Sequence, residues 1–207
     1  DSYTTPTYTD IHITATYRRG YILRESMRGR IVKGHRYENL FIVDLFTGMR
    51  KGEIVGLKWE CVDFEKGTIL VDKQIQVKRG GGYRVETPKN NRNRTITPAP
   101  SVMEVLRRQK KHQIEMRLRA GELWQESGFV FTDALGRNLN PRIVHIDYKK
   151  IVSEIGIPNA RFHDLRHSYA VASLQAGDDI KTVQENMGHH TAAFTLDVYG
   201  HATERMK

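Results

Sequence analysis

The chain has 207 residues, with 33 Lys and Arg against 24 Asp and Glu, a formal net charge of +9. That length suits one ordinary domain, or a domain with an appendage, and the charge points to a polyanionic partner. A single cysteine, Cys61, excludes an internal disulfide and a thiolate metal cluster, and the lack of any run of about 18 apolar residues excludes a membrane-spanning helix. No secretory signal is visible, so a cytoplasmic setting is expected. The first residue is Asp1 rather than Met, which reads as a piece of a longer protein.

Residues 1–33 show little periodicity. From Tyr17 to Arg36 seven basic residues face one Glu, the pattern of a basic arm, linker or solvated segment. From Tyr37, the residues Leu40, Phe41, Val43, Asp44, Leu45 and Phe46 predict a mostly buried helix, broken by Thr47-Gly48. Arg50 opens a second short helix, anchored by Ile54, Val55 and Leu57. Cys61, beside Trp59 and Val62, reads as a buried structural thiol.

Strands follow. Thr68–Val71 and Gln74–Val77 have β-branched content, Tyr83–Glu86 returns after the Lys78-Arg79-Gly80-Gly81-Gly82 turn, and Arg94–Thr97 comes after a second turn. Together they predict a small three-stranded antiparallel sheet with a basic hairpin tip. Ser101-Val102-Met103-Glu104 reads as a capping box opening a helix to about Ala120, with Gly121 past its end. That helix has a basic face of Arg107, Arg108, Lys110, Lys111 and Arg117, read as solvated ahead of phosphate-binding. Phe129–Thr132 predicts a short strand, and Pro141 the first turn of a helix that Gly156 and Pro158 end.

The most informative stretch is Arg161-Phe162-His163-Asp164-Leu165-Arg166-His167-Ser168-Tyr169. On a helix, His163, Arg166 and His167 fall at i, i+3 and i+4, on one face. Three potential cations there repel one another unless they meet a polyanion; a solvated basic face is the alternative. The helix is expected to bury Leu165, Tyr169, Val171, Ala172 and Leu174. Gly177-Asp178-Asp179 ends it and caps a helix to about Met187, and a last helix covers residues 192–199.

Read together, five motifs stand in order. They are Thr47-Gly48-Met49-Arg50-Lys51-Gly52-Glu53, Pro88-Lys89-Asn90-Asn91-Arg92-Asn93-Arg94, His163-x-x-Arg166, Gly188-His189, and Tyr199 ten residues on. Each alone is weak. The ordered set resembles the catalytic constellation of the tyrosine recombinases, the phage-integrase family, and is nearest in flavour to integrases of conjugative transposons. The resemblance runs from about Gly34 to the end; the acidic entry helix usual in the family is not seen. It implies an α+β, mainly α-helical catalytic domain over 34–207 with a small three-stranded antiparallel sheet, behind a basic segment 1–33.

The resemblance also implies roles. Arg50, Lys89, His163, Arg166 and His189 would be catalytic, with Tyr199 the nucleophile and Glu53 a buried partner serving the fold. Lys78, Arg79, Arg92, Arg94 and His167 are expected to contact DNA, His167 being also a common helix-packing companion. Asp164 reads as a local hydrogen-bond partner, and His190 and His201 as non-catalytic. The chemistry suits these residue types. In-line attack on a phosphodiester builds negative charge on the non-bridging oxygens, and fixed guanidinium forks stabilise it without reorganising. Neither metal nor cofactor is expected. The implied partners are double-stranded DNA at recombination sites, a homo-tetramer on that DNA, and an accessory DNA-bending or excision factor, with no membrane. The function expected is site-specific recombination through a 3′-phosphotyrosine. Alternatives are a type IB topoisomerase-like nicking-closing enzyme, a non-catalytic DNA-binding module, and a metal hydrolase built on His163, His167, His189 and His190.

Overall fold

The computed structural model describes residues 33–78, 82–87 and 93–188. Lys89, Arg79, Arg92, His189 and Tyr199, and the helix expected over 192–199, lie outside the described residues.

Helix α1 (Glu38–Thr47) forms where the apolar run predicts it and buries Leu40, Phe41, Val43 and Leu45. Gly48 stops it in a left-handed conformation, φ +62. No larger residue fits, because a Cβ there would stand 2.4 Å from Tyr169 Cδ1. Helix α2 (Lys51–Val55) follows at once, with Arg50 at its N-cap. Helix α3 (Pro100–Ala120) is the longest. Its start corrects the Ser101 capping box: Ala99 is the N-cap and no side chain caps it. Pro100, whose fixed φ suits a first helical position, begins the helix before Ser101 can cap it. Helices α4 (Pro141–Glu154), α5 (His163–Gln175) and α6 (Ile180–Met187) complete the α-helices of the described residues. Asn140 caps α4 through Arg142 N, and Asp179 caps α6 through Thr182 N. Of the residues expected inside α5, Leu165 is fully buried, while Tyr169, Val171 and Leu174 are partly buried.

The strands sort differently from a single sequential sheet. β1 (Val62–Asp63), β2 (Thr68–Val71) and β5 (Arg94–Ile96) make one antiparallel sheet, in the order β1-β2-β5. β3 (Gln74–Val77) and β4 (Tyr83–Glu86) pair only with each other. β2 takes β5 as its neighbour across the chain, so the 74–86 hairpin lies off the sheet. Ile75 anchors the hairpin in the core, and Gln74 Nε2 donates to Thr87 O at 3.0 Å. Residues 129–132 form no strand, only isolated bridges at Lys58–Phe129 and Thr132–Asn138. Side-chain amides of α3 take the place of a ladder there: Gln109 donates to Val130 O at 3.0 Å and Gln113 to Phe129 O at 2.9 Å.

One main core joins α1, β2, β5, α3 and α4 to the start of α5. Phe41, Tyr148 and Phe162 meet at ring-centroid separations of 5.1–6.3 Å. The Tyr148 hydroxyl donates to Arg161 O at 2.8 Å, which fixes the chain just before His163.

Candidate active site

Three arginines converge on one turn. Residues 186–188 close the C-terminal end of α6, and each of their three carbonyls accepts from a different guanidinium. Arg94 Nε donates to Asn186 O at 2.7 Å. Arg166 Nη2 donates to Met187 O. Arg50 Nη2 donates to Gly188 O at 3.1 Å. The carbonyl end of a helix carries partial negative charge and accepts cations readily. Gly188 makes the turn possible with φ +62. The next residue in the chain is His189.

Arg166 is 1% exposed, the largest of the fully buried side chains. Its Nη1 donates to Gly48 O at 2.6 Å, so the carbonyl that closes α1 also aims this arginine. Arg50 is partly exposed. Its backbone N donates to Glu53 Oε2 at 2.8 Å and its Nη1 to Glu53 Oε1 at 2.9 Å. Glu53 is fully buried. Despite burial, which raises a carboxyl, the hydrogen-bonded Arg94 cation and the Arg50 donors hold Glu53 down to about 2. It is buried, as expected, and is shared by two arginines.

Arg94, expected to contact DNA, is tied to partners within the protein. Its side chain is 9% exposed, and both guanidinium arms grip Glu53 at 3.0 and 2.6 Å. Those donors are committed inside the protein, because a buried carboxylate needs them more than solvent does. The strand period hinted at this: Arg94 and Ile96 share a face, and Ile96 is buried. Lys78, by contrast, is exposed at the hairpin turn, where its backbone N donates to Gly82 O.

The histidines are not the extra cations that their spacing suggested. His163 and His167 pack edge to face, with centroids 4.7 Å apart and planes at 90°. Desolvation first, then the Arg166 cation, lowers the pKa of His163. Desolvation and His163 push His167 down to about 4. Both rings are therefore neutral near pH 7, which removes the repulsion. Asp164 is the local partner expected, accepting from Arg161 N at 3.0 Å and Arg161 Nη2 at 3.2 Å.

In the sequence Asp44 reads only as part of the α1 apolar run. It is 1% exposed, and its Oδ1 has no hydrogen-bond partner among the described residues. Burial pushes its carboxyl well above the ordinary range, with Arg166 opposing and Glu53 adding to the shift. A carboxylate inside the run Leu40–Phe46 was the available signal. The Cys61 thiol donates to Asp72 Oδ1 at 3.3 Å, and burial raises it to about 11, so it is an inert structural group. No group of three metal-ligating side chains comes together among the described residues.

Residues 30–206 match the profile of the phage integrase family. The chain belongs to that family. It is 34% identical over 188 residues to a tyrosine recombinase XerC-like protein of Caldanaerobacter subterraneus subsp. tengcongensis, covering 85% of this chain and 48% of that relative. It is 28% identical over 171 residues to the ICEBs1 integrase of Bacillus subtilis, covering 80% of this chain and 45% of the relative. The chain thus spans about half the length of the curated relatives it matches. Among solved structures, the Tn1549 transposon integrase in complex with transposon right end DNA superposes with a TM-score of 0.71 at 21% identity, over 91% of this chain and 63% of that one. XerA recombinase superposes at 0.65 with 20% identity, over 91% of this chain and 61% of that one. The fold is that of a tyrosine recombinase catalytic domain, mainly helical with small antiparallel sheets. Among the described residues, no helix is long and apolar enough to cross a membrane.

Proposed function

We propose that the chain is the catalytic part of a site-specific DNA recombinase that integrates or excises a mobile element. The observation carrying this reading is the convergence of Arg50 and Arg166 on the 186–188 turn, next to His189 in the chain. Around that turn Arg50 and Arg94 share the Glu53 carboxylate, and burial pushes the Asp44 carboxyl well above the ordinary range against the pull of Arg166. Fixed positive charge of this kind suits a phosphodiester, and suits better the charge that grows on it during attack.

Arg50 and Arg166 hold the non-bridging oxygens of the scissile phosphate, and His189 adds a donor. The neutral His163 ring accepts the proton of the Tyr199 hydroxyl. Tyr199 Oη forms a bond to phosphorus as the bond from phosphorus to the 5′-oxygen breaks, leaving a 3′-phosphotyrosine. Lys89 gives a proton to the leaving 5′-oxygen. One phosphoester replaces another, so the reverse attack by a 5′-hydroxyl reseals the strand without nucleotide or metal. Lys78, Arg79 and Arg92 contact the DNA backbone. The substrate is double-stranded DNA at recombination sites. A homo-tetramer on paired sites and an accessory DNA-bending or excision factor complete the assembly, in the cytoplasm.

The test uses a nicked duplex carrying the element's attachment half-site, whose short 5′-hydroxyl fragment diffuses away after cutting. With chelator present, the unmodified full-length protein is expected to form a covalent DNA adduct on a denaturing gel, and Tyr199→Phe none. An adduct that survives Tyr199→Phe, or that requires a divalent ion, overturns the reading.

A further inference from the structure

We infer that Arg94 is a positioning residue for strand cleavage, a strut that sets the turn before His189 against Arg50 and against the strand that follows Lys89. This rests on the recombinase reading above.

Its backbone is held at the start of β5 by the ladder, with Arg94 opposite Val71 and Ile96 opposite Ile69. Lys89 lies five residues before it. From that anchored Cα the side chain makes three bonds to two distant parts of the molecule. Two parallel bonds go to the Glu53 carboxylate, at 3.0 and 2.6 Å. The same carboxylate takes the backbone N and Nη1 of Arg50, at 2.8 and 2.9 Å. The third goes from Nε to Asn186 O at 2.7 Å. Gly188 also packs on the guanidinium: a Cβ there would sit 3.2 Å from both Arg94 Cδ and Nη1.

One planar group therefore joins the strand after Lys89, the acid that orients Arg50, and the residues leading to His189. Catalysis by fixed charges tolerates little misplacement, since an error of about 1 Å costs on the order of 100-fold in rate. Lysine cannot replace the fork. A single ammonium is a point donor and cannot span the carboxylate edge to edge while also reaching a carbonyl. A phosphate contact by Arg94 is the rival role, and the two roles separate in the kinetics.

The experiment measures single-turnover adduct formation on the nicked half-site duplex, with the full chain, as a function of DNA concentration and salt. The variants are Arg94→Met and Arg94→Lys. The inference expects the plateau rate at saturating DNA to fall about 100-fold in Arg94→Met, with the half-saturating concentration and its salt dependence unchanged. Arg94→Lys keeps the charge beside Glu53, so it decides the matter if Arg94→Met does not fold; its plateau rate is expected to stay at least about 10-fold low while its melting temperature approaches that of the parent. A plateau rate within about threefold of the parent in the folded variant overturns the inference. So does an unchanged plateau with weaker binding and a salt slope smaller by about one, the signature of a lost phosphate contact. A parent that forms no adduct overturns the recombinase reading, and this inference with it. An active parent with an equally active Arg94→Lys overturns this inference alone.

Discussion

Around Glu53, Arg94 and Arg166 have given up nearly all contact with water, and Arg50 most of it; along α3, Arg107, Arg108, Lys110, Lys111 and Arg117 have kept theirs. The two regions are built from the same residue types, yet a buried guanidinium must have its donors placed, while an exposed one is served by solvent. At the turn of residues 186–188 each arginine has backbone carbonyls or a carboxylate within 3.1 Å. On α3 the basic residues are exposed, even where a bond is short, as from Arg108 Nε to Asn39 Oδ1 at 3.0 Å. Arg117 meets Glu126 at 3.2 Å with both side chains more than 60% exposed, and Lys110 lies over Trp59 at 5.6 Å and Phe64 at 5.5 Å. The Lys110 ammonium and the Arg107 guanidinium sit over the rings of Trp59 and Phe64 while both residues stay exposed. The lesson is that a basic cluster becomes a site where the fold restrains its donors, not where the charges are most numerous.

The sharpest way to break this contrast is to remove the shared acid. Glu53→Gln leaves Arg50 and Arg94 facing each other across a neutral amide, and is expected to cost about 3–5 kcal/mol in urea unfolding. Glu53→Met combined with Arg94→Met should recover part of that loss, since both the buried charge and its partner are gone. A loss under about 1 kcal/mol for Glu53→Gln would place this cluster with the surface pairs.

A second contrast is in pH. His167 titrates near 4 in the folded protein and near 6.5 when unfolded. Between those values the unfolded chain binds a proton that the folded chain refuses. Stability is therefore complete above pH 6.5 and falls as the pH drops toward 4, by on the order of 1–2 kcal/mol once solvent screening is allowed for. Glu53 behaves in a lower window. Its folded value is depressed from 4.5 to about 2, so its contribution is present above 4.5 and is lost as the pH falls through 2. Urea midpoints measured from pH 7.5 to 4 should show the first loss, and His167→Gln should reduce it, leaving the share of His163, whose pKa is lowered as well.

The smallest effect belongs to α3. Arg117→Ala removes only an exposed pair and should change stability by less than about 0.5 kcal/mol. A thermal melt that moved more than this would mean that α3 is braced by its charges, which would erase the contrast.

Much of this was legible in the residues alone, where the governing physics is local. Gly48 after an apolar run, Pro141, Gly156 and Asp179 mark helix ends, because they act on their own φ angle or on backbone groups one turn away. The ordered arginine, histidine and tyrosine motifs carried the family, and the family profile agrees over residues 30–206. Ser101 misled because Pro100 beside it is the stronger local signal.

What the tertiary structure decided was pairing and burial, which join residues far apart in sequence. β2 chose β5 and left β3 to β4. Arg94 reached Glu53 and Asn186, and Arg166 reached Gly48 and Met187. The charge of an arginine is written in the sequence, because no ordinary environment removes it. The charges of His163, His167 and Asp44 are not, because desolvation and neighbouring cations set them only after the chain has folded around them.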